Sequence, residues 1–505
     1  MDAAGAALTI ALSTFGDAAQ TAGVVVAALL AAVVLLARSA RARAFAMLAA
    51  LALTPVLLVA NIWSSDQFAP VRERPVLALG AAAAALVALA LGAVAFHRRP
   101  QLLVLVAAAA LPFRIPIGLG GDTVNLLVPL YLVIAAGGLA YAAPRLRGHG
   151  WREDPEPEPE RGPGRVEWLL AASVVLYALQ SSYSSDFDRA LSQTIFFYVP
   201  FALLFALLVR IDWTPRVVLQ CLAVLLALAV VFVGIGFVEY AKRELLLNPK
   251  VISSNQFETY FRVNSLFFDP NIYGRFLVMV MVGLTAVALW SRRTIVAGGC
   301  AVALALLMSG LVLTLSQSSF AALLAGLAVL GALRWGVRRA ALAIGCFAAV
   351  ALCVVLAAPG AVGFDQSLHA ASSGRSDLVR GGVELFADRP LAGWGAGAFR
   401  REYRANDKGS GARATAASHT IAITIGAEQG VFALGLYLAL LAVTLARLLR
   451  GARRSPARCA VAAAFVALVA HTLLYAAFLE DPLAWSLLAV GTALAGQSAA
   501  PPAEA

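Results

Sequence analysis

Two arginines and a histidine, Arg262, Arg375 and His419, stand in polar stretches of an otherwise apolar chain. A guanidinium is planar and can meet phosphate oxygens two at a time. Two of them near one membrane surface would make a clamp for a diphosphate. The same side chains could instead bind lipid headgroups or sit in structural ion pairs. His419 borders the start of an expected helix, and an imidazole that titrates near neutrality could take a proton from an attacking hydroxyl. A loop histidine could equally be an ordinary surface residue. His369 has no ordering element near it, and His471, alone in an apolar helix, reads as a core histidine with its hydrogen bonds satisfied.

Other chemistries find little support. No His/Cys/Asp cluster has metal-ligand spacing. The five cysteines fall inside or at the edge of apolar segments and read as small buried hydrophobes. The turn Gly393–Gly397 follows no expected strand and carries no Walker lysine, so it reads as a tight turn that packs Trp394 at the membrane interface.

The elements that must position these residues are helices in a membrane. Hydrophobic residues make up 61% of the chain and charged ones 13%, with a mean hydropathy of +0.83. An ordinary soluble domain is excluded. Apolar runs of about membrane-spanning length recur along the chain, including Leu102–Phe113, Thr194–Val209, Phe276–Trp290 and Val431–Ala446. About 13–15 such segments are expected, giving an all-α, polytopic transmembrane helical bundle. Acidic residues are nearly absent from their middles, which disfavours an ion-coupled transporter. The first segment has Asp2 and Asp17 before it and no Lys or Arg until Arg38, so no cleavable signal is expected.

Much of the net charge of +11 is topology rather than a nucleic-acid footprint, and the remainder, mainly in the two long outer loops, needs another explanation. Arg38/Arg41/Arg43, Arg98/Arg99, Arg145/Arg147/Arg152, Arg210/Arg216, Arg292/Arg293, Arg334/Arg338/Arg339 and the run Arg447 to Arg458 fall on alternate loops, which the positive-inside rule assigns to the cytoplasm. Residues 240–275 and 359–418 then share the opposite side. Arg72, Arg74, Arg114 and Arg189 are basic exceptions in the outer loops. The run Asp154-Pro-Glu-Pro-Glu-Pro-Glu160 cannot pack a core and reads as a disordered cytoplasmic linker over 144–165. It divides N-terminal helices, 1–143, from a catalytic bundle, 166–498, that carries both long outer loops.

Within those loops, Asp269-Pro270-Asn271 reads as a capped helix start. A short amphipathic helix is expected over Ser373–Phe386. Its apolar face would hold Val379, Val383 and Phe386, with Asp377, Arg380 and Glu384 opposite. The pair Gly381-Gly382 weakens it and Pro390 stops it. A lip helix over His419–Glu428 would end near Gly430.

Three strings, in this order, resemble the O-antigen ligase and O-antigen polymerase family of membrane glycosyltransferases. The first is Arg262 followed by Asp269-Pro270-Asn271. The second is Gly374-Arg375 with its short helix, then Asp388-Arg389-Pro390-Leu391-Ala392-Gly393-Trp394-Gly395-Ala396-Gly397. The third is Ser418-His419, then Gly426-Ala427-Glu428-Gln429-Gly430. The resemblance implies a GT-C-like fold with a large periplasmic loop, in a multi-pass protein of the bacterial inner membrane. It implies transfer of a glycan from an undecaprenyl-diphosphate-linked donor on the periplasmic side, with no metal or other cofactor. The acceptor would be lipid A core or a second lipid-linked glycan. Arg262 and Arg375 would hold the diphosphate and His419 would act on the acceptor hydroxyl. Asn271, Arg380, Trp394 and Glu428 would support them. The chain departs from the family pattern with Thr420 after the histidine and Ser316-Gln317 where Ser-Arg is frequent. A lipid-linked glycan flippase or other transporter, and a membrane scaffold, are the competing classes.

Overall fold

The computed structural model describes residues 17–62, 72–119, 122–147, 162–247, 261–357, 375–406, 418 and 420–497. They form a helical bundle, α1 (Asp17–Leu36), α2 (Ala40–Ile62), α3 (Pro75–Arg98), α4 (Pro100–Ala110), α5 (Val128–Arg147), α6 (Arg165–Ser181), α7 (Phe187–Gln193), α8 (Val199–Leu208) and α9 (Pro215–Lys242) making up the first part. The second part is α10 (Pro270–Trp290), α11 (Thr294–Thr314), α12 (Gln317–Trp335), α13 (Val337–Ala357), α14 (Arg375–Asp388), α15 (Phe399–Asn406), α16 (Ile421–Leu449), α17 (Pro456–Thr472) and α18 (Pro482–Gln497). Among the described residues, ten helical stretches are long and apolar enough to cross a membrane, and the chain is a polytopic helical bundle. A short antiparallel hairpin, β1 (Ile115–Leu119) with β2 (Asp122–Leu126), is the one addition to the all-α expectation there.

Several expected segments take a different form. Leu102–Phe113 yields only the 11-residue α4 before the chain turns into the hairpin. Thr194–Val209 is the second half of a longer run, Phe187–Leu208, in which a π-helical turn at Thr194–Tyr198 joins α7 to α8. Pro144 sits inside α5, so the helix runs on to Arg147 before the linker.

Two apolar cores hold the bundle. One gathers Val24 and Met47 with Leu204, Phe465 and Trp485, so the first helices share a core with the last ones. The other is built around α9, α10, α11, α12 and α17, with Phe232, Phe267, Tyr273 and Phe276 in mutual ring contact.

The two ends differ in chemistry. At one end arginines stack on rings or donate to exposed carbonyls. Arg334 lies over Trp290, Arg43 donates to the Tyr141 hydroxyl, Arg453 to the Ala332 carbonyl and Arg447 to the Thr492 carbonyl. Cations near helix C-termini oppose the negative end of the helix dipole. The other end carries the hairpin, the turn 261–269, α14, α15 and the 473–481 connection. Arginines there also stack on rings and donate to carbonyls, as Arg389 does over Trp394 and Arg262 to Thr314, and carboxylates bind backbone amides besides.

Candidate functional site

Arg262 is fixed from three directions. The Val263 amide donates to the Leu313 carbonyl at 3.1 Å, laying the turn across the end of α11. The Arg262 Nε–H donates to the Thr314 carbonyl at 2.9 Å, and Nη2 reaches Asn271 Oδ1 at 3.4 Å. Behind the turn, buried Glu239 accepts the Ser265 amide at 2.8 Å and the Asn264 amide at 3.3 Å. That holds Ser265 at a φ of +52°.

Asn271 opens α10 as the sequence suggests. Asp269 is the N-cap, its Oδ1 accepting the Asn271 amide at 2.6 Å with Pro270 in the first helical position, an arrangement worth about 1 kcal/mol. The Asn271 side-chain oxygen also accepts from Ser316 at 2.8 Å. Its backbone carbonyl lies 3.2 Å from His471 Nε2. His471 is fully buried, with Ser318 and Ser319 hydroxyls at 3.2 and 3.4 Å. A carbonyl can only accept, so Nε2 carries the proton. His471 is therefore a buried core histidine, bonded at Nε2, that bears on Arg262 through Asn271. Ser316, where the family pattern has a following arginine, is the N-cap of α12 and accepts the Ser319 amide.

His419 and the side chain of Arg375 lie outside the described residues. The positions on either side of His419 are pinned. The Ser418 hydroxyl donates to the Thr420 carbonyl at 2.8 Å, and the Thr420 hydroxyl to the Leu473 carbonyl at 2.9 Å. Leu473 is two residues beyond His471, so the segment carrying His419 is tied to the helix end that contacts Asn271.

The glycine-rich turn is a structural joint. Gly430 sits at φ +73°, ψ −171° inside α16 and breaks its hydrogen-bond ladder. Residues 390–395 fill the break. The Trp394 amide donates to the Ala427 carbonyl at 3.1 Å and the Gly395 amide to the Glu428 carbonyl at 2.8 Å, while the Val431 amide donates to the Pro390 carbonyl at 2.8 Å. Glu428 holds the same turn from inside, accepting the Gly397 and Phe399 amides at 3.1 Å each. A Cβ at Gly393 would lie 2.3 Å from the Glu428 carbonyl oxygen. Trp394 donates to the Leu385 carbonyl at 2.9 Å and lies under Arg389. Trp394 and Glu428 thus hold the turn against α14 and α16. Arg380 is exposed on α14.

The α14 helix itself corrects the expected face. Leu378, Gly382 and Leu385 are its buried residues, and Val383 is 49% exposed. The glycine pair is the docking surface: a Cβ at Gly381 would lie 2.4 Å from the Tyr403 ring and one at Gly382 2.6 Å from Ile423.

Sequence reasoning missed a buried ionic group beside the Arg262 turn. Arg275, one turn into α10, pairs with Asp481 at 2.7 Å, with exposures of 1% and 2%. It also donates to the Ala477 carbonyl at 3.3 Å. Tyr475 donates to Asp269 at 3.3 Å. Nearby, Gln193 donates to Glu480, whose carboxyl burial pushes above its usual range while Arg189 opposes the shift. Two signals point here: Arg114 and Arg189 are two of the four basic exceptions among the outer loops. Both lie beside these carboxylates. Among the described residues, no three His, Cys, Asp or Glu side chains are grouped to hold a metal ion.

No curated protein matches the chain. Residues 301–438, from α11 into α16, match the family model described as O-Antigen ligase, and this match supports the O-antigen ligase family for the chain.

Proposed function

We propose that the protein transfers a glycan from an undecaprenyl-diphosphate-linked donor to an acceptor hydroxyl, on the periplasmic side of the bacterial inner membrane, with inversion and without a metal. The family match supports glycosyl transfer of the ligase or polymerase type. The observation that carries the finer reading is Arg262, a half-buried guanidinium held by Thr314 and Asn271 at the end of the bundle that carries the turn 261–269 and α14. In this reading residues 166–498 form the catalytic bundle and the helices of 1–143 buttress it.

His419 takes the proton of the acceptor hydroxyl, and the hydroxyl oxygen forms a bond to the anomeric carbon from the face opposite the leaving group. The bond from that carbon to the diphosphate oxygen breaks, and its electron pair stays on the departing lipid diphosphate. Arg262 and Arg375 stabilise that charge, the task a metal ion performs in other transferases. The acceptor is lipid A core in a ligase and a second lipid-linked repeat in a polymerase.

Reconstitution with an undecaprenyl-diphosphate glycan and each acceptor in turn tests the reading. The expected result is a glycosylated product with one acceptor, in inverted configuration and at a rate unchanged by chelator. Replacing His419 by Ala lowers the rate about 10²–10⁴-fold, and near-normal transfer by that variant removes it from the mechanism. Arg375→Lys loses the two-point contact; an unchanged donor affinity counts against the clamp. No product with either acceptor favours a transporter.

A further inference from the structure

Arg114 stands at the outer end between α4 and the hairpin, and no step of the proposed reaction uses it. Its guanidinium is half-buried, its Nε is shielded from solvent, and among the described residues it makes no hydrogen bond. Its one close partner is the face of Phe268, 5.4 Å from Cζ, a weaker contact than a charge-assisted hydrogen bond. The carboxylate whose charge acts on it, Asp481, is already ion-paired with Arg275. Asp481 gives Oδ2 to Arg275 at 2.7 Å and Oδ1 to the Leu483 amide at 3.0 Å. Asp269 gives Oδ1 to the Asn271 amide and Oδ2 to the Tyr475 hydroxyl. Two guanidiniums, Arg114 and Arg275, therefore face one shared carboxylate, and Arg275 has taken it. Burial and the Arg275 charge press against the ionised form of Arg114, and Asp481 answers only in part.

A partly desolvated guanidinium without a carboxylate is stable when an anion completes it. The planar fork suits phosphate oxygens. Phe268, under Arg114, lies three residues before Asn271, which binds Arg262 at the start of α10, so the two arginines flank one short stretch of chain. We propose that Arg114 binds phosphate oxygens at this outer-end site, as an anion contact contributed by the N-terminal helices. Assigning the phosphate to the lipid-diphosphate donor rests on the proposed function, and the phosphate site itself does not. A phospholipid headgroup offers the same chemistry.

The test uses the full chain, purified in neutral detergent, with binding of farnesyl diphosphate and of dioctanoyl phosphatidylglycerol measured separately. Arg114→Gln should weaken farnesyl diphosphate at least about tenfold, as loss of a charge-assisted contact does. Arg114→Lys should recover part of it, with melting temperatures close to wild type. Weakening confined to phosphatidylglycerol supports the site and makes the headgroup its ligand. Wild-type affinity of Arg114→Gln for both, or no binding of either by the wild type, overturns the inference. Arg114-dependent diphosphate binding by a chain that transfers no glycan would sink the transferase reading alone.

Discussion

Arg262 is held on its Nε edge, and that decides what its replacement costs. Lysine has no group to donate to the Thr314 carbonyl while reaching Asn271. Arg262→Lys should therefore cut transfer by about tenfold or more, the scale of one charge-assisted hydrogen bond, with the melting temperature preserved. Wild-type turnover by this variant would dismiss the clamp. Glu480 allows a sign-checked test of stability. Its carboxyl titrates higher folded than unfolded because burial disfavours the charge. Below the usual range near 4.5 both states are protonated and nothing is lost. As pH rises through the folded value, the unfolded chain gives up its proton first and the fold loses stability. Glu480→Gln should flatten that decline above the usual carboxylate range in thermal melts, and an unchanged slope would mean Arg189 neutralises the carboxylate fully. The helix start at Asp269-Pro270-Asn271 was legible because an Asp-Pro-Asn run before an apolar stretch is a local capping signal. Asp481 and Glu480 were not, since their partners come from helices far away in sequence and only packing brings them together.

At the scale of elements, glycine carries the joints. Gly430 has a backbone conformation that essentially only glycine adopts, at a cost of about 1–3 kcal/mol for other residues. An added Cβ would also lie 2.2 Å from the Leu391 carbonyl oxygen. Gly430→Ala should lower the melting temperature and expose the 390–397 turn to protease. Gly298→Ala, in α11 with nothing within 4 Å of the new atom, should leave both unchanged. Equal behaviour of the two variants would show that the turn does not depend on the joint. The helix α14 teaches the complementary lesson. Its extent and its stop at Pro390 follow from local signals, and its buried face does not. Hydropathy favours Val383, whereas close approach to Tyr403 and Ile423 favours the side with no side chains. A glycine pair reads as weakness along one helix and becomes contact area between two.

Over the whole molecule, a polytopic helical bundle was legible in apolar length, although ten span-length stretches stand among the described residues where about 13–15 were expected, and arginine placement supplies the expected sidedness. Two-sidedness is directly measurable. With the native cysteines replaced, Arg404→Cys in α15 should react with an impermeant maleimide from the periplasm, and Arg454→Cys only from the cytoplasm. Labelling of both from one side would break the topology. Which loops meet over the outer end depends on long-range packing, as with the Thr420 hydroxyl reaching Leu473. The break at Gly430 has one more consequence, for biogenesis. It strips α16 of internal partners for the Ala427, Glu428 and Gln429 carbonyls and the Val431 amide, which are met by Trp394, Gly395, Gln180 and Pro390. Hydrocarbon offers such groups nothing. The segment cannot reach its final shape alone in lipid. It must wait for α6 and the 390–395 turn, both earlier in the chain and so already delivered when α16 leaves the ribosome. The order of synthesis matches the order in which this end of the bundle can close.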